Sequence, residues 1–162
     1  MATRAQVIIS NREGLSQSDY MSNAIWNDER LQWLINQSCI LYHHRDGYPE
    51  NMVPSIFDVL NLPHGRLTDI EYLNAIMLWY WKHTENDLTT KLAANPDKGW
   101  DDEELYRTLW LSHWVSNEIH WDTQYIYLVH AESKTVHVLE YNYDDNYWFV
   151  SASYNNVHPF TS

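Results

Sequence analysis

The stretch Tyr42-His43-His44-Arg45-Asp46-Gly47-Tyr48-Pro49-Glu50 concentrates more reactive side chains than any other part of this 162-residue chain. A His and an Asp two residues apart, here His44 and Asp46, can act as a general base with its orienting carboxylate, or as two ligands of a metal. The same residues have a structural reading: Asp46 and Gly47 shape a turn, Tyr48 packs under it, and His44 hydrogen-bonds locally. A second His-x-Asp, His120-Trp121-Asp122, would complete a four-ligand set if the fold joined the two pairs. With nine histidines in the chain, however, a chance repeat of so short a pattern is unsurprising.

Other chemistry has little to stand on. There is no G-x-S-x-G elbow, no Walker lysine loop, no G-x-G-x-x-G and no H-E-x-x-H. Four glycines leave few backbone cradles for phosphate. Cys39, the one cysteine, sits in an apolar stretch without a basic neighbour and reads as a buried structural thiol. No cofactor and no metal is assigned, His44 and Asp46 remain the only catalytic candidates, and the reading leans away from an enzyme.

Charge and aromatic content point to binding instead. The formal charge is −12, and from Gly99 onward ten acidic residues face only Arg107 and Lys134. Such a surface repels nucleic acid phosphates and attracts basic grooves on other proteins, so direct DNA or RNA binding is not expected. A purely solubilising role is the plainer alternative. The nine tryptophans and twelve tyrosines cannot all enter the core of a meander with one covered face, so several rings should stand exposed beside carboxylates, a composition suited to gripping Arg- or Lys-rich surfaces. The expected partner-binding residues are Asp101, Asp102, Glu103 and Glu104 with Tyr143, Asp144, Asp145 and Trp148. Exposed aromatics also leave a homodimer open.

These residues must be positioned by a modest set of elements. The spacing predicts a first strand over Thr3 to Ile9, closed by the polar run Ser10 to Gly14. A loosely patterned helix falls within Ser16 to Gln37, around Trp26, Arg30, Trp33 and Leu34. Cys39 to His44 alternates as a second strand, with Ile40, Tyr42 and His44 on one face and Cys39, Leu41 and His43 on the other. In the turn that follows, the Asp-Gly step supplies a position tolerant of positive φ and Pro49 stops the ladder.

A helix over about Asn51 to Leu60 stacks Met52, Ile56 and Leu60, with Pro54 tolerated in its first turn. Thr68-Asp69-Ile70-Glu71 reads as a capping box with Thr68 as the cap. The helix it opens, to about His83, is apolar nearly all round over Ala75 to Trp81, which predicts a central element wrapped on more than one side. Glu85 to Trp100 extends that helix and then forms a loop, and Asp101 to Glu104 opens another helix, where the macrodipole favours carboxylates. Tyr125 to His130, Thr135 to Tyr141 and Tyr147 to Ser151 form an antiparallel meander, which Asn117 to Trp121 extends.

The expected fold is therefore a single α+β domain over residues 1–162, with an antiparallel sheet of about five strands packed on two to four helices. Met1 to Ser10 lacks the apolar core of a signal peptide, and the run Ala75 to Trp81 is far below the roughly 20 residues that span a bilayer, so a cytoplasmic protein off the membrane is expected.

Two stretches, Met1-Ala2-Thr3-Arg4-Ala5-Gln6-Val7 and Leu41 to Glu50, resemble short uncharacterised proteins of phages, plasmids and prophages that open with a Thr-Arg-Ala strand and carry a His-x-Asp-Gly-Tyr-Pro turn. The resemblance spans about a tenth of the chain. It implies a genetic setting rather than a reaction: a mobile-element inhibitor of host defence, in the manner of anti-CRISPR proteins. Its partner would be a host defence protein or ribonucleoprotein complex with a basic groove, met in the host cytoplasm. The alternative function is a small-molecule or nucleotide-binding protein, or a hydrolase, built on His44, Asp46, Tyr48 and Glu50.

Overall fold

The computed structural model describes residues 3–10, 24–36, 38, 40–44, 47–62, 66–93 and 113–155, with side chains to residue 82 in the last helix and from 114 onward. The elements run β1 (Ala5–Ser10), β2 (Ile25–Trp26), α1 (Asp28–Ile35), β3 (Ile40–His43), α2 (Pro49–Leu60), α3 (Ile70–Ala93), β4 (His113–Ser116), β5 (Tyr125–His130), β6 (Thr135–Asn142) and β7 (Tyr147–Asn155). Cys39, Asp46 and the stretch expected to begin a helix at Asp101 lie outside the described residues.

The α+β class holds, and the meander β5-β6-β7 forms where alternation placed it. The sheet itself differs from expectation. It has seven strands in the order β2-β7-β6-β5-β1-β3-β4 and is mixed, because β1 pairs with β5 in parallel, Ala5 opposite Tyr125 through to Ser10 opposite His130. Alternation looks the same in a parallel and an antiparallel strand, so side-chain pattern alone could not reveal that pairing. The additional strands are short: β2 has two residues and β4 four.

Both faces of the sheet are covered. Ala5, Val7 and Ile9 of β1 join Leu41, Tyr127 and Val129 beneath α2 and α3, which contribute Met52, Ile56, Phe57, Leu73, Met77 and Trp81. Ile8, Ile40, Ile126, Leu128, Leu139 and Val150 form the opposite core with Trp26 and with Leu31, Leu34 and Ile35 of α1. This explains why β1 is buried along its whole length, as strands covered on both faces are. At about 1.5–3 kcal/mol per fully buried large apolar side chain, these two layers dominate the stability of the domain.

Each helix departs from its sequence reading at its start. α1 begins only at Asp28, where the Asn27 side chain accepts the Arg30 N–H at 2.8 Å, and Trp26 belongs to a strand. α2 begins at Pro49, which fills the first helical position, so Pro54 lies inside the helix rather than in its first turn. Its ring removes the bond that would reach the Glu50 carbonyl. α3 is capped by Asp69, not Thr68: Asp69 Oδ1 accepts the Tyr72 N–H at 3.0 Å, which leaves Glu71 too early in the helix to complete a capping box.

The apolar run of α3 is not wrapped on several sides. Leu73, Asn74, Met77 and Trp81 face the core at helical spacing, while Trp79 on another face is 55% exposed. Among the described residues no helix is long and apolar enough to cross a membrane.

Candidate functional site

Packing accounts for the glycine of the turn after β3 and helix entry for the proline, while Tyr48, expected to pack under the turn, is 44% exposed. A Cβ on Gly47 would stand 2.8 Å from the Ala5 Cβ and 2.9 Å from the Thr3 carbonyl oxygen, and the Gly47 φ lies outside the left-handed region. Glycine is thus needed for close approach to β1, not for positive φ as the sequence suggested. The Gly47 N–H donates to the Thr3 carbonyl, and the buried Tyr127 hydroxyl donates to the Gly47 carbonyl. Tyr48 is the N-cap of α2 and Pro49 its first residue.

Around Tyr42 the fold assembles a polar and aromatic cluster. β3 pairs with β4 so that Tyr42 lies opposite Trp114, and the two rings stack with centroids 4.3 Å apart. The Tyr42 hydroxyl donates to Asp122 at 3.3 Å, and His44 Nδ1 lies 3.4 Å from the same oxygen. A phenol has one proton, so with that proton directed at Asp122 the His44 contact requires a proton on Nδ1. Asp122 also forms an ion pair with Arg4, Nε to Oδ2 at 2.9 Å, without the alignment of a hydrogen bond.

Burial, then the Asp122 charge, pushes the Tyr42 phenol up to about 12. At neutral pH it is a proton donor and not a base. His120 lies against the Tyr42 ring at 4.7 Å, and its Nε2 is 3.0 Å from the Ser116 hydroxyl. That hydroxyl also donates to the Glu118 carbonyl, so the His120 contact requires a proton on Nε2.

Residues from both His-x-Asp pairs therefore meet: His44 and Asp122 share the Tyr42 hydroxyl, and His120 packs on its ring. Among the described residues no group of three or more His, Cys, Asp or Glu side chains is placed to hold an ion. Asp46 lies outside the described residues.

The expected strand over Asn117 to Trp121 is instead an irregular loop, and the true strand is β4 immediately before it. Gln6, fully buried on β1, explains the change. Its amide donates to the Glu118 carbonyl at 2.9 Å and accepts from the His120 N–H at 2.9 Å and the Thr123 hydroxyl at 2.7 Å. Backbone groups that a ladder would have used are bonded by a single side chain.

The other side of this loop borders a cleft of about 420 Å³. Asp28 and Gln32 of α1 form one wall, Glu118 to Trp121 with Thr123 a second, and Tyr141, Tyr143 and Trp148 at the β6–β7 end a third. Trp121 is 95% exposed and Tyr143 75%. Tyr143 meets Tyr141 edge-on at 5.0 Å, and Tyr141 meets Trp148 at 5.1 Å.

Beyond Tyr143 the hairpin tip holds Asp144 and Asp145 exposed, their N–H groups donating to the Asn142 side chain while Asn146 takes a left-handed φ of 58°. Of the residues expected to bind a partner, Tyr143, Asp144 and Asp145 are thus at the surface. Trp148 is not the exposed ring expected: at 3% exposure it borders the cleft but belongs to the core, beside Trp26 of the neighbouring strand and in one cluster with Leu31, Leu34 and Ile35 of α1, which covers that face. Asp101, Asp102, Glu103 and Glu104 lie outside the described residues. Sequence reading missed Asp28, Glu118 and Trp121 as a group, for only the fold brings α1 to the loop.

The arrangement sets exposed rings beside carboxylates, and it places the Ser116 hydroxyl 3.0 Å from the His120 imidazole. Compared with protein-family models, curated proteins and solved structures, the chain matches none.

Proposed function

We propose that this protein binds a basic protein surface, and that its biological role is inhibition of a host defence complex by occupying that complex's nucleic-acid site. The observation that carries the binding reading is the cleft of Asp28, Glu118, Trp121 and Tyr143, with Asp144 and Asp145 exposed on the adjoining turn. A surface tryptophan at 95% exposure does nothing for the core, whereas rings beside carboxylates attract cations by both quadrupole and charge. The defence setting rests on the sequence resemblance and the net charge of −12.

The test is inhibition of a nucleic-acid-binding effector by the purified protein at low and high salt. Inhibition that disappears with salt and with neutralisation of Asp144 and Asp145 supports the role, and inhibition indifferent to both refutes it.

The convergence of His44 and Asp122 on the Tyr42 hydroxyl favours a second reading, a small-ligand or hydrolytic site at the His44–Asp46 turn. His44→Ala and Asp46→Ala variants that fold and keep full biological activity would eliminate it.

A further inference from the structure

We infer that the cleft between α1, the loop after β4 and the β6–β7 turn receives an arginine side chain from the partner protein. This rests on the partner-binding reading and deepens it.

Charge selects a cation. Asp28 and Glu118 both border the cleft, and among the described residues neither carboxylate has an ion-pair partner. Glu118 uses its backbone carbonyl, not its side chain, to hold the loop to Gln6 and Ser116. The loop is therefore fixed by its main chain, and the carboxylate is left for a ligand.

Shape and chemistry select guanidinium over ammonium. Aromatic rings make up much of the remaining lining, exposed Trp121 and Tyr143 with Tyr141 and Trp148, alongside Gln32, Ile119, His120 and Thr123. A planar, weakly hydrated guanidinium stacks on such faces and still presents N–H groups sideways to carboxylates, whereas a compact ammonium must shed a tighter water shell. The protein makes the same contact internally one strand away. Arg30 lies 4.0 Å over the ring of Trp26, the residue paired with Trp148.

The cleft volume of about 420 Å³ holds an arginine side chain with some of its flanking backbone. The exposed Asp144 and Asp145 beyond Tyr143 would meet further basic residues of the same segment.

The experiment titrates ¹⁵N-labelled protein with the peptide acetyl-Gly-Arg-Gly-Arg-Gly-amide, with its lysine and citrulline counterparts, and with acetyl-arginine amide as the small-molecule source of the same group. The Trp121 indole resonance is assigned by its loss in Trp121→Phe. A saturable shift of that resonance with the arginine peptide is expected, with binding at least about threefold weaker for lysine and at least about tenfold weaker for citrulline. Acetyl-arginine amide should shift the same resonance more weakly than the peptide. Trp121→Ala, at a position too exposed to affect folding, and the pair Asp28→Asn with Glu118→Gln should each weaken peptide binding about tenfold.

Equal binding of the citrulline peptide, or arginine binding unchanged by Trp121→Ala, overturns the inference. If a basic partner is bound and lost on neutralising Asp144 and Asp145 while the arginine titration is silent, the guanidinium site falls and the partner reading stands. Arginine binding at Trp121 with no inhibition of any effector leaves the site standing and removes the proposed role.

Discussion

The Tyr42 hydroxyl lies 3.3 Å from the Asp122 carboxylate, joining β3 to the loop after β4. That contact, with the Gln6 hydrogen bonds, fixes a loop whose inner side faces Tyr42 and whose outer side forms the acidic, aromatic cleft.

Removing the Tyr42 hydroxyl with Tyr42→Phe should cost about 1.5–3 kcal/mol in urea unfolding, the value of a hydrogen bond to a charged acceptor. The phenol pKa is raised in the fold to about 12, so the folded state holds its proton where the unfolded chain releases it, near 10. Stability from this group is complete below pH 10 and is lost as pH rises toward 12. Tyr42→Phe should flatten that part of the pH–stability profile.

His137 supplies the opposite limb. It is buried on β6, with Nδ1 2.7 Å from the Ser153 hydroxyl, and burial lowers its pKa to about 4. The unfolded chain therefore binds a proton first as pH falls, and stability declines between about pH 6.5 and 4, by up to about 3 kcal/mol. His137→Gln should weaken this acid dependence in denaturation curves collected across that range.

Gly47→Ala should destabilise by about 1–3 kcal/mol, since the new methyl meets the Ala5 side chain and the Thr3 carbonyl with no flexible neighbour to yield. Equilibrium denaturation measures the loss. A neutral or stabilising result would show that β1 and the turn can separate without cost.

Gln6→Leu should release the loop without unfolding the sheet. Leucine keeps the apolar bulk but takes the acceptor from the His120 N–H and the Thr123 hydroxyl, at about 1–3 kcal/mol for each group left unpaired, and leaves the Glu118 carbonyl only its bond from Ser116. Amide exchange at His120 should accelerate while exchange in β5 stays slow.

The sequence made the meander legible because alternation over Tyr125 to His130 and Thr135 to Tyr141 is a local property, interrupted by turn residues at Lys134 and Asn146 that take left-handed φ. The irregular step in β7 was not legible. Two β7 residues, Val150 and Ala152, face consecutive residues of β6, Leu139 and Val138, leaving Ser151 as a bulge. The bulge turns Trp148 and Tyr154 to opposite faces although their spacing is even.

Trp148 was misread as exposed for a related reason: what covers a strand's face comes from elsewhere in the chain, here α1. In the site, Tyr143, Asp144 and Asp145 could be found from their turn. Trp121 and Glu118 were hidden in a segment that reads as a strand, because the side chain that prevents pairing is Gln6, on another strand.

The central claim is tested most directly by capturing partners from a host lysate on the immobilised protein at low and high salt, comparing wild type with a variant carrying Asp28→Asn, Glu118→Gln, Trp121→Ala, Asp144→Asn and Asp145→Asn. The account predicts that a nucleic-acid-handling defence complex is retained by the wild type at low salt, released at high salt, and not retained by the variant. Equal retention by both proteins, or no protein partner at either salt, would contradict it.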